Sequence, residues 1–138
     1  MINIRQEQIE TMLMQHEEKF IDFVVKHIQQ ECPDDVRDIE PVSLREMVTN
    51  GLTRARSYDL EKPQDLTAFV AIMFDISPNF DEQADIQRAL RDKSVPIEQR
   101  FNTMIECVPD KAWEEAETNK NYDAWFPELN NQGDCNNG

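Results

Sequence analysis

Along most of the chain apolar residues recur every three or four positions. Ile9, Leu13, Phe20, Val24 and Ile28, with Met12 and Phe23 beside them, predict one long helix over residues 3–31. Cys32-Pro33-Asp34-Asp35 ends it, because proline disfavours the α conformation in the residue before it and has no amide hydrogen to continue the ladder. The acidic stretch 33–42 reads as a loop holding a second proline, Pro41. Ser43-Leu44-Arg45-Glu46 matches a capping box, so the next helix is expected to start at Ser43. From there Leu44, Met47, Val48, Gly51, Leu52, Ala55 and Tyr58 form one apolar face, on which Gly51 and Ala55 leave room for a neighbouring helix. Pro63 suits a first helical position. The run Leu66–Phe74 behind it is apolar on nearly every side, which places that helix, extending to about Ile76, in the middle of a bundle. Ser77-Pro78-Asn79-Phe80-Asp81 breaks it, with Phe80 expected to tuck under the bundle. A short helix over 83–92 (Ile86, Ala89 and Leu90 inward) follows. Another is marked by Ile97, Phe101, Met104, Ile105 and Val108 and ended by Pro109. The pattern predicts an all-α, single-domain bundle of five to six helices around a buried central helix at about 64–76. The helical domain spans 1–129, and 130–138 is a disordered acidic and polar tail.

Composition narrows the choice of partner. The chain of 138 residues is 39% hydrophobic and 30% charged with 3 glycines, a profile of helix-rich rather than all-β proteins. Its 14 Lys and Arg against 28 Asp and Glu give a formal net charge of -14, which repels nucleic acid phosphates and anionic lipid head groups. A basic protein surface is the favoured partner, since opposite fields speed encounter. Residues 106–138 concentrate the excess, with eight acidic and two basic side chains. Cys32, Cys107 and Cys135 are too few and scattered for a disulfide framework or a CxxC site. With no basic region leading into an apolar stretch at the first residues, the expectation is a cytoplasmic protein with reduced thiols.

Candidate chemistry is sparse. His16 and His27 lie near one helix stripe but about 16 Å apart at roughly 1.5 Å per residue, too far to share an ion, so no metal or cofactor is expected. No nucleophile elbow, Walker loop, HExxH or EF-hand pattern occurs. Adjacent carboxylates such as Glu17-Glu18 and Glu114-Glu115 point about 100° apart on a helix and do not form an acid/base pair. The reading is therefore a non-enzymatic interaction protein. Asp75 sits at the C-terminal end of the central helix, where a carboxylate opposes the helix dipole, and is expected to be exposed or paired. Trp125 and Phe126, with the acidic residues around them including Glu114, Glu115 and Asp123, form the expected partner-binding face. Trp113 and Trp125 alternatively close one end of the bundle. Arg54 and Arg56, with Arg45, suggest a second, anion-binding strip, against which stands the simpler expectation of ion pairs with nearby acidic side chains.

The segment 44–81 resembles a pattern in small all-helical accessory proteins encoded in type VI secretion clusters, beside VgrG, PAAR-repeat and toxic effector genes. The residues that carry it are Leu44-Arg45, Val48, Gly51-Leu52, Arg54-Ala55, Tyr58-Asp59-Leu60, Asp65-Leu66, Phe69, Met73-Phe74 and Pro78-Asn79-Phe80-Asp81. The pattern has glycine after the tyrosine, where this chain has Asp59, and a Pro-Trp pair beyond the final aspartate, where it has Ala84-Asp85-Ile86-Gln87. The resemblance implies an adaptor or chaperone that binds a type VI effector or its VgrG/PAAR spike carrier. The alternative is an immunity protein whose carboxylates plug a cationic toxin. The long first helix leaves a dimer open.

Overall fold

The computed structural model describes the backbone of residues 6–127 and the side chains of 16–127; the expected tail at 130–138 lies outside the described residues. Among these residues the chain forms seven α-helices, two 3₁₀ turns and no strand. The helices are α1 (Gln6–Glu31), α2 (Pro33–Val36), α3 (Pro41–Arg56), α4 (Pro63–Asp75), α5 (Ala84–Leu90), α6 (Ile97–Cys107) and α7 (Asp110–Thr118). The 3₁₀ turns cover Phe80–Glu82 and Tyr122–Trp125. Among the described residues no helix is long and apolar enough to cross a membrane.

The bundle is built around α4. Leu66, Phe69, Val70 and Met73 are buried, and Phe69 is wholly enclosed between Phe80 at 4.8 Å, Tyr58 at 6.0 Å and Phe101 at 6.5 Å. Such offset and tilted ring pairs add to the burial of their large apolar area. Phe80 is fully buried beneath the bundle, as its place after a helix-breaking Ser-Pro-Asn requires, and Trp113 of α7 stacks on its other side at 6.0 Å. The most extensive helix–helix contact is α3 on α4. Its separation is set by Gly51, where a Cβ would come within 3.1 Å of Val70 Cγ2 and 3.2 Å of Met73 Sδ.

Three local expectations change. The stretch after Pro33 is a turn of helix, α2, with proline at its first position and Val36 buried, which raises the helix count to seven. Helix α3 starts at Pro41, two residues ahead of Ser43: Glu40 is the extended cap residue, and no side-chain capping bond is made. Proline supplies a preset φ at the first helical position, where its missing amide hydrogen would have had no partner in the helix anyway, so the helix begins there rather than at the capping box. In α6, Ile105 is 42% exposed although its spacing matches the inward face.

Candidate interaction surface

The C-terminal segment folds onto the end of the bundle. Ala112 and Ala116 are the buried contacts of α7, Trp113 is half-buried, and Glu114, Glu115 and Glu117 point outward. The Asn121 side chain accepts the Asp123 amide at 3.0 Å and so starts the turn Tyr122–Trp125. Trp125 is 3% exposed, so it is not the protruding anchor expected from its acidic surroundings. Its ring lies 4.4 Å from that of Phe74 on α4, and its carbonyl accepts Asn50 Nδ2 at 2.7 Å. An indole carries too much apolar area to stay in water when a phenyl ring from another helix is in reach. Phe126 is half-buried against the core and Asp123 is exposed. The aromatic that this face presents to solvent is Tyr122, 66% exposed, which the spacing of its neighbours did not single out.

The second expected patch is arranged otherwise. Arg54 is largely covered: its Nε donates to both carboxylate oxygens of Asp81 at 2.8 and 3.0 Å, and its terminal nitrogen to Glu82 at 3.0 Å. Arg56 makes a two-pronged pair with Glu17 at 2.7 and 3.0 Å, and Arg45 reaches Glu18 and Asp22 of α1. Arg37 and Arg88 pair with Asp34 and Asp85, Arg91 lies 5.5 Å over the Tyr58 ring, and Arg100 donates to the Val95 carbonyl. All seven described arginines are thus engaged by the protein itself. These pairs take up Glu17, Glu18, Asp22, Asp34, Asp81, Glu82 and Asp85, and the acidic excess outside them includes the exposed Glu114, Glu115 and Glu117 of α7.

Asp81 is the centre of a buried polar staple. Besides Arg54 it accepts the Tyr58 hydroxyl at 2.6 Å. Burial, then the bond to Asp81 and its charge, push the Tyr58 phenol up to about 12. At Arg54, burial works against the guanidinium, but Asp81 and Glu82 outweigh it and hold the group above its ordinary value. Next to this, Asn79 ties the turn to the C-terminal segment: it donates to the Asn119 carbonyl at 3.1 Å and accepts the Asn121 amide at 2.7 Å. The segment 119–125 is therefore held by side chains from the turn after α4, and the acidic face is fixed relative to the core.

A separate apolar groove lies between α1 and α4, about 400 Å³, bordered by Phe23, His27, Pro63 and Ala68. Phe23 is 56% exposed there and stacks on Phe20 and His27. Among the described residues no group of three His, Cys, Asp or Glu side chains is placed to hold a metal ion.

These features define a class: an all-helical acidic domain, stapled by a buried Arg–Asp–Tyr cluster, that turns an anionic face outward. Compared with protein-family models, curated proteins and solved structures, the chain finds no match.

Proposed function

We propose that the protein is a non-enzymatic accessory of effector delivery, an adaptor or chaperone that binds a type VI effector or its VgrG/PAAR carrier through a cationic face of that partner. One observation carries the binding chemistry. Every described arginine is tied up internally, while Glu114, Glu115 and Glu117 stand exposed on α7, next to the segment that Asn79 fixes. What the surface offers is negative charge around Tyr122. A complementary basic patch would be steered to it and oriented by it. The assignment to type VI delivery is supported by the resemblance over 44–81 and by nothing else in the molecule.

The test is co-expression with the effector and spike genes encoded beside it, followed by size-exclusion chromatography at low salt. Co-elution is expected, and separate elution of each pair overturns the reading. Deleting the gene distinguishes the immunity role suggested by the same charge. An adaptor's loss abolishes secretion and leaves sibling cells unharmed, whereas poisoning of siblings replaces the adaptor reading with immunity.

A further inference from the structure

The C-terminal end of α4 opens into a cleft of about 200 Å³ between α2 and the turn Tyr122–Trp125. Phe74, Trp125 and Tyr122 form its aromatic walls, and the exposed Asp35 and Asp75 border it. Several independent features make this place hungry for positive charge. The C-terminal end of a helix carries about half a negative charge. Here its last turn holds no basic residue and adds the carboxylate of Asp75. The amides of Ile76 and Ser77 both go to the Ile72 carbonyl, and Pro78 has no amide hydrogen. The last carbonyls of α4, from Met73 to Asp75, are therefore left without amide donors among the described residues. Neither Asp35 nor Asp75 makes an ion pair among those residues. The neighbouring Cys32 thiol registers the field: burial first, then the charges of Asp35 and Asp75, push it up from its ordinary value. The protein's own Lys120 ammonium already lies over the Tyr122 ring, 5.9 Å from its centre.

We propose that this cleft receives the guanidinium of an arginine side chain from the bound protein partner, stacked on Tyr122 and donating to Asp75 and the end of α4. Arginine suits it better than lysine. A guanidinium is planar, weakly hydrated and carries five donors, so it can lie on a ring and still serve several acceptors, whereas an ammonium is a compact, strongly hydrated charge. Lys120 then acts as a placeholder on the ring that the incoming arginine displaces. This assignment rests on the protein-binding reading above, but its test does not need the partner.

The probe is N-acetyl-arginine amide, titrated into the full-length protein and followed by ¹H–¹⁵N NMR, with the lysine and citrulline amides as comparisons. Saturable shifts at the Trp125 indole and at the amides of residues 73–77 and 120–126 are expected, strongest for arginine. Citrulline, which keeps the shape and lacks the charge, should produce none. Tyr122→Ala should weaken the arginine amide roughly two- to five-fold, the range for a cation over an exposed ring. Asp75→Asn should weaken it as well, and Lys120→Gln should strengthen it. All three positions are exposed, so the variants keep the fold. Equal shifts with citrulline, no shifts at the cleft, or variants that bind like the parent overturn the proposal. If the arginine amide binds as described but no neighbouring effector or spike protein co-elutes, the accessory reading fails and the cleft stands.

Discussion

At Asp81 a single carboxylate decides whether the core is satisfied or strained. Its two partners come from α3 and the second residue beyond it, so the bonds lock the turn after α4 against the neighbouring helix. Removing it in Asp81→Ala leaves a mostly covered guanidinium and a buried hydroxyl without their acceptor, and costs about 3–5 kcal/mol by analogy with broken buried pairs. Against a total of roughly 5–15 kcal/mol for a domain, urea denaturation should show a midpoint sharply lowered or no cooperative transition. Tyr58 gives this network a pH signature. Its phenol is raised to about 12 in the folded protein, against about 10 in an unfolded chain. Between these values the folded state keeps the proton and the unfolded state has lost it. The contribution is complete below pH ~10 and disappears as pH climbs through ~12, amounting to about 2–3 kcal/mol in order of magnitude. Tyr58→Phe, compared with the parent across that window, should show a shallower loss of stability; parallel curves would mean that burial and Asp81 together do not raise the phenol. The next residue, Asp59, has φ of 67°, the single positive value outside glycine among the described residues. A side chain in that left-handed region costs up to about 1–2 kcal/mol, less for aspartate than for most. Asp59→Gly relieves it at an exposed site and should add about 1 kcal/mol of stability at most, once the greater freedom of glycine in the unfolded chain is counted, read as a higher thermal midpoint.

Helix by helix, what the sequence made legible is what local chemistry decides. Proline at the first position of α4, the break at Ser77-Pro78 and the inward Ile86 and Leu90 of α5 all follow from neighbours within one or two turns. What it hid depends on contacts between distant segments. Trp125 lies in an acidic stretch and reads as exposed until Phe74, some fifty residues earlier, is brought against it. Arg54 reads as a surface cation until the turn after α4 delivers Asp81. Ser43 is a local exception: Pro41 takes the first helical position two residues earlier, which moves the cap to Glu40. The α3–α4 contact belongs to the legible part, and it makes a two-sided prediction. In Gly51→Ala the helix gains about 1 kcal/mol of propensity. Its new methyl would stand 3.1 Å from Val70 Cγ2 and 3.2 Å from Met73 Sδ, both buried and Val70 stiff at χ1. The two effects nearly cancel, so the alanine variant should melt within a few degrees of the parent. Gly51→Val adds branching to the same crowding without the propensity gain and should lose about 1–3 kcal/mol from overpacking. A valine variant as stable as the alanine one would mean that α3 and α4 are not in close contact at this point.

Over the whole molecule the charge works against the fold and toward the partner. A formal charge of -14 is spread over a surface whose described arginines are already neutralised by neighbouring carboxylates or bound to a ring or carbonyl. Self-repulsion among the remaining acids destabilises the compact state, and an arriving cationic surface relieves it. Salt acts on the two processes with opposite signs. Raising ionic strength from about 0.01 M to about 0.1 M shortens the screening length from roughly 30 Å to roughly 10 Å, so charges farther apart than that no longer feel one another. The surface pairs of Arg37 and Arg88 also weaken, but exposed pairs contribute little individually, at most about 1 kcal/mol each, so relief of the net repulsion prevails. Added sodium chloride should therefore raise the thermal midpoint of the isolated protein, at about 4 °C for each kcal/mol gained. The same change should slow association with a basic partner and weaken the complex, since encounter at low salt is driven by the anionic face. Calorimetry of the free protein and association kinetics over one salt series measure both. A midpoint that falls with salt would show that the internal ion pairs outweigh the excess charge, and an association rate indifferent to salt would remove electrostatic steering from the proposed function.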